Sequence, residues 1–220
     1  LAAIAERGMV PAVVLLWCNY VPDTWASQRI PGSIIPEAGL DTYLRSAIEC
    51  ALPYEPIYFV SGDTDFQTER AISYYRRGLE LAKELDPNSL TTLHLKGNFH
   101  EIPKDLLAMP ELDFYNFQSG HGADHWDQAH VLASAFLEKP TRPAVNAEPC
   151  YEGHGLGHSE GRFTAQQVRQ AAWQGILGGA SAGVTYGAHG IWSWHRRELP
   201  FGSAEFSNIP YAWDEALAFP

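Results

Sequence analysis

The sequence predicts an α/β chain, and within that class a (β/α)8 TIM barrel of which about six of the eight βα units are present. Three observations point there. Short apolar runs rich in β-branched residues alternate with segments of helical periodicity, without consecutive hairpins. No glycine-rich phosphate loop follows the first apolar run, as it does in many doubly wound nucleotide binders. Nearly every apolar run also ends in polar or aromatic residues. That suits a barrel, whose strand carboxyl ends converge on one mouth, better than an open sheet.

The opening LAAIAERG has the spacing of a helix end, with Gly8 as its terminator. Val10 to Trp17 then reads as a strand buried on both faces, as in a parallel sheet. Leu40 to Leu52 is a helix opened by Asp41, and Pro56 to Ser61 a strand. Thr68 to Leu85 is a strong helix with Ile72, Tyr75, Leu79 and Ala82 on its apolar face. Leu90 to Leu95 and Leu112 to Ser119 are strands, and His125 to Leu137 is a helix with Trp126, Ala129, Ala133 and Phe136 inward. Pro143 to Pro149 is a strand. Thr164 opens a helix with Gln167 three residues on, a capping box, and Trp173 on that helix reads as core. Gly183 to Gly190 is the last strand. Since the chain opens on a helix tail, residues 1–220 read as one barrel domain lacking roughly two βα units, about 60 residues at ~30 each. The edges at Val10–Trp17 and Gly183–Gly190 are then expected to be unpaired.

Composition narrows the function classes. The chain has 220 residues, with 26 acidic against 15 basic side chains and a net charge of −11, so a nucleic-acid partner is not expected. No apolar run is long enough to span a membrane, and no membrane partner is expected. The three cysteines, Cys18, Cys50 and Cys150, form neither a disulfide framework nor a metal motif. Seven Trp and ten Tyr suit a sugar ligand, because flat amphipathic rings stack on sugar faces, although aromatics also fill cores. Nothing in the sequence specifies oligomeric state.

Two acids stand at strand ends. Asp63 follows PIYFVSG, and Glu148 lies in VNAEPCYEG, where Pro149 stops the ladder. Glycosidic bonds are cleaved by such pairs, one carboxyl acting as proton donor and the other as nucleophile or base. The competing structural readings are that Asp63 caps the following turn and that Glu148 pairs with Arg162 or Arg169. Around the acids, Trp17, Tyr151, Trp192 and Trp194 are candidates for stacking on rings. Asn19, His94, Gln118, His121, Asn146, Tyr186 and His189 are candidates for polar contacts. The histidines His121, His125, His130, His154 and His158 raise a metallohydrolase reading, yet none has the spacing of a ligand motif. No metal and no cofactor is expected. The glycine-rich GHGLGHSEG, residues 153 to 161, reads as a flexible flap.

Four segments together resemble one family. They are SGD at Ser61–Asp63, FQSGH at Phe117–His121, NAEPCYEG at Asn146–Gly153 and GVTYGAHGIWSW at Gly183–Trp194. They are similar to the bacterial apiosidase-like glycoside hydrolases, relatives of the large clan of retaining (β/α)8 glycosidases. The closing WDEALAFP resembles the segment just after that barrel. The resemblance implies that the first strand here is the third of the barrel, that Asp63 ends the fourth and is the acid/base, and that Glu148 ends the seventh and is the nucleophile. It departs from the common clan pattern, which has an Asn–Glu pair on the fourth strand. It further implies a carbohydrate substrate of plant cell-wall type and a secreted or periplasmic location. A non-catalytic sugar-binding barrel is the alternative class.

Overall fold

The computed structural model describes residues 1–220. They form two compact units, one of residues 1–96 and 101–116, the other of 97–100 and 117–220.

The first unit opens on α1 (Ala2–Ala5), which Gly8 terminates in a left-handed conformation, and continues into β1 (Ala12–Trp17). A short helix α2 (Trp25–Arg29) follows, capped by Thr24 and Ser27 in a reciprocal box. Helix α3 (Glu37–Ala51) begins before Asp41, which instead binds Arg77 through both carboxylate oxygens. Strand β2 (Ile57–Thr64) is three residues longer at its carboxyl end than the apolar run alone predicts, so Asp63 lies within it. Helix α4 (Glu69–Leu85) starts at the Thr68 cap and buries Ile72, Tyr75, Leu79 and Ala82 as its periodicity requires. Strand β3 (Thr91–Leu95), a single-turn helix α5 (Lys104–Leu107) and β4 (Phe114–Phe117) complete the series. Strands β1, β2, β3 and β4 pair in that order, all parallel. In β1 the expected burial on both faces holds only in part. Leu15 and Leu16 are buried, but Val14 and Trp17 are exposed.

In the second unit a short 3-10 turn (Trp126–Gln128) leads into α6 (Ala129–Leu137), and β5 (Ala144–Asn146) follows. The glycine-rich segment expected to be a flap is a two-stranded antiparallel hairpin, β6 (Gly155–Leu156) with β7 (Ser159–Arg162). Its register is secured from outside, because Asn208 donates to the Gly161 carbonyl and Arg162 to those of Gly153 and Ile209. Helix α7 (Ala165–Leu177) carries the capping box read from Thr164 and Gln167. Two single-turn helices close the chain, α8 (Ala204–Ser207) and α9 (Trp213–Ala216). No helix is long and apolar enough to cross a membrane.

Two expectations fail here. Gly183–Gly190 is not a strand: it makes isolated parallel bridges, Asn146 to Val184 and Glu152 to Ala188. Glycines in left-handed conformation at both its ends turn the backbone out of a ladder. Trp173 is not core but 62% exposed, since α7 turns Val168, Ala171 and Gly175 inward instead. Trp126 does pack, edge-on against Phe163.

The capping box is one determinant of α7 that side-chain truncation can isolate. Thr164→Ala removes the acceptor for the Gln167 N–H. It should cost about 1 kcal/mol, read as a lower urea midpoint with unchanged slope.

Candidate functional site

In the first unit the site residue is Asp63. Between β2 and β3 the register slips twice, at Phe59/Ser61 and again at Ser61/Thr64, each time with an extra residue on β2. Such bulges bend a strand and re-aim a side chain. The second contains Asp63, whose backbone is left-handed at φ 51°. A non-glycine residue there costs on the order of 1–3 kcal/mol, so the surroundings must hold it. They do: the indole N–H of Trp25 donates to the Asp63 carbonyl at 2.9 Å. Gly62, just before it, matches Trp17 in register, and a Cβ on Gly62 would stand 2.3 Å from the Trp17 ring. The ring therefore lies directly on bare backbone.

The Asp63 carboxyl faces a histidine. His94 Nε2 is 3.4 Å from Asp63 Oδ1, while His94 Nδ1 is 2.9 Å from the Asn116 amide oxygen. An amide oxygen only accepts, so Nδ1 carries a proton toward Asn116, and Nε2 faces the Asp63 carboxyl. The His94 ring is buried between Trp17 and Phe59, near-parallel to both, and Ser61 donates to its backbone carbonyl. Trp17 is 38% exposed and can meet a ligand. Asn19 is engaged locally, its amide N–H donating to the Ser33 hydroxyl in the turn after β1.

In the second unit the site residue is Glu148, two residues beyond β5. His121 Nε2 is 3.0 Å from Glu148 Oε1, and the Glu148 carbonyl accepts from the Gly120 N–H. Two rings adjoin His121, Tyr151 and His154, each with its centroid 4.3 Å away and the two 6.1 Å from one another. Tyr151 rests on Gly187, where a Cβ would stand 2.1 Å from the phenol ring. Arg162 spends its N–H groups on backbone carbonyls rather than forming the pair with Glu148 that the sequence allowed.

The other candidates divide. Asn146 uses both amide atoms on Ser119, and Tyr186 donates its hydroxyl to Glu152, so these residues brace the loops around Glu148. Gln118 is buried beside Gly97 and Gly120. His189 is fully buried, which leaves it no face for a hydroxyl-reading contact. Trp192 is exposed and stacks on His189, whereas exposed Trp194, itself left-handed at φ 47°, stacks on Trp213 at 4.6 Å. Three contributors escaped the sequence reading: Trp25, Glu152 and His154. His154 had a signal, lying six residues past Glu148, but was weighed there as a metal ligand. The cysteines are free. Burial pushes the thiols of Cys18 and Cys150 up to about 12, which makes them inert.

Burial, reinforced by the neighbouring His121, drives His154 down to about 3. Burial likewise drives His189 down to about 4. Both rings are therefore neutral in the folded protein. Unfolded, each takes up a proton near its ordinary value of 6.5. The unfolded state binds more protons below that pH, so this share of stability is complete above it and is lost as pH falls toward 4. Urea midpoints should drop steadily between pH 7 and pH 4.5. A flat profile would mean that the two rings accept protons in place.

Comparison with known proteins completes the description. The family model "Apiosidase-like, catalytic domain" matches residues 1–220. No curated protein sequence matches significantly. Among solved structures, a glycoside hydrolase family 5 protein from Bacteroides vulgatus is similar at TM-score 0.80 and 21% identity, over 98% of this chain and 46% of that one. A second, titled simply glycoside hydrolase, is similar at TM-score 0.79 and 22% identity, over 98% of this chain and 49% of that one. A Thermobacillus composti GH10 xylanase aligns at TM-score 0.56 and 15% identity, over 94% of this chain and 72% of that one. At such identities the likeness shows the fold, that of the glycoside hydrolase TIM barrels. The chain spans about half the length of the first two.

Proposed function

The chain belongs to the apiosidase-like catalytic domain family, and from that premise we propose that it carries the two catalytic carboxyls of a retaining glycosidase. Asp63 is the acid/base and Glu148 the nucleophile, and the substrate is an oligosaccharide of plant cell-wall type. One observation carries the reading: each acid stands at or just past the end of a strand with a histidine nitrogen against its carboxyl, buried His94 for Asp63 and half-buried His121 for Glu148.

The two histidines suit different roles. The Nε2 lone pair of His94 can accept the O–H of a protonated Asp63, which keeps the acid's proton in place between turnovers. His121 presents an N–H to Glu148 and so favours the ionised carboxylate that a nucleophile must be. In the first half-reaction Glu148 Oε attacks the anomeric carbon. The glycosidic C–O bond breaks, and Asp63 gives its proton to the departing oxygen. In the second, Asp63 takes a proton from water, whose oxygen displaces Glu148. Retention requires the carboxyls about 5–5.5 Å apart in the assembled enzyme. Trp17 and Trp192, both exposed, are the rings best suited to stack on sugar.

Two variants of the full-length protein test this. Glu148→Ala should be nearly inactive, and azide should restore turnover with a glycosyl azide of inverted configuration. Asp63→Ala should lose about 10²- to 10⁴-fold on natural glycosides and little on aryl glycosides with good leaving groups. Equal loss on both substrate types removes Asp63 from the acid role. Sugar binding by the wild type with no hydrolysis of any pectic or hemicellulosic oligosaccharide would point to a binding module instead.

A further inference from the structure

The mechanism above leaves two buried histidines unused. His154 Nδ1 is 2.7 Å from the Gly155 carbonyl and His189 Nδ1 3.4 Å from the Gly153 carbonyl, so in both rings Nδ1 bears the proton. Their rings continue the stack that begins at Glu148. His154 stacks on His121 at 4.3 Å and 26°, and His189 packs against His154 at 4.7 Å, tilted by 49°. Trp192 and Phe201 close the far end against His189.

This stack has a definite electrical character. His189 Nε2 and His121 Nδ1 are both buried without a hydrogen-bond partner. A second proton on either ring would therefore bury an unpaired N–H, which costs about 1–3 kcal/mol and more when the group is charged. The neighbouring charges act the same way on His189, where Arg162 and His195 both oppose a proton. On the Tyr151 side the hydroxyl of Tyr186 satisfies the carboxylate of Glu152. The acid that faces the stack is Glu148, at the His121 end.

We propose that His154 and His189 are positioning residues: as uncharged rings stacked behind His121, they hold it in the orientation and tautomer that direct its Nε2–H at Glu148. The proposal rests on Glu148 being the nucleophile. A neutral donor orients that carboxylate and keeps it ionised. An imidazolium in its place would make a full ion pair and lower the basicity that attack on the anomeric carbon needs. Tyr151, itself seated on Gly187, adjoins His121 beside His154 rather than opposite it, the two rings being 6.1 Å apart, so His121 is packed along one face and one flank.

The test uses the full-length protein with ¹⁵N-labelled histidine. Ring-nitrogen spectra at pH 7 should show His154 and His189 as neutral Nδ1–H tautomers and His121 as a neutral Nε2–H tautomer. His154→Phe keeps a flat uncharged ring, so it should preserve the His121 tautomer and hold kcat within about threefold. His154→Ala should mix the His121 tautomers and lower kcat at least about tenfold while KM moves less than about threefold. A doubly protonated or Nδ1–H His121 in the wild type overturns the proposal. So does damage by Phe equal to that by Ala, or an Ala variant with unchanged kcat. If the Ala variant does not fold, the wild-type and Phe spectra decide. If the full-length protein cleaves no glycoside, the proposed function falls, while the spectra still report whether the stack holds His121.

Discussion

Parallel strands bury their backbones, so an acid can be offered at a strand end only where the chain leaves the ladder without exposing unpaired peptide groups. In this protein that exit depends on an aromatic ring laid flat on a glycine. Trp17 covers Gly62, and the next residue is Asp63. Tyr151 covers Gly187, and its other neighbour is His121, which holds Glu148. A methyl group at either glycine would meet the ring at less than a van der Waals distance, so the ring would move and its acid would lose a wall. The aromatic content that suits sugar binding is thus partly committed to supporting the acids.

The electrostatics follow from the same packing. The protein is strongly acidic, yet its paired charges lie mostly outside the site. Examples are Arg77 with Asp41 and Arg45 with Glu84, pairs exposed enough to be screened and to contribute little to stability. Beside the acids the structure places imidazoles: His94, which Asn116 orients, faces Asp63, and His121 faces Glu148.

The sequence made visible whatever is decided locally. Helices α4 and α7 were legible from their caps at Thr68 and Thr164 and from their apolar spacing. Both candidate acids were legible because each lies at the end of an apolar run beside a residue that interrupts it, Gly62 before Asp63 and Pro149 after Glu148. What was hidden depends on partners distant in the chain. The segment 183–190 has strand-like composition, but only Val184 and Ala188 find bridges. The glycines near His154 suggested a loose flap, yet Asn208 and the backbone of Ile209 anchor the hairpin. Trp173 has helical spacing on a helix that turns a different face inward. The histidines were the hardest to read. His121, His154 and His189 come from three separate segments, and no spacing rule shows that their rings stack.

The two acids are also held by opposite means, which matches the different demands placed on them. Asp63 sits inside a hydrogen-bonded strand, on a strained backbone, with its carbonyl tied by Trp25. Its carboxyl faces His94 Nε2. Strain and a fixed backbone suit the proposed acid/base role, in which the carboxyl stays at one position while its proton departs and returns once in each turnover. Glu148 lies beyond its strand, on unstrained backbone, and its restraint acts on the side chain through the His121 N–H. A nucleophile must travel to form a covalent bond and then withdraw. A carboxylate restrained through its side chain can move further than one locked through its main chain, which suits the proposed nucleophile role. The bulge at Asp63 and the imidazoles behind His121 thus suit the two proposed roles separately, one fixing where a proton would be exchanged and the other the direction from which an oxygen would attack.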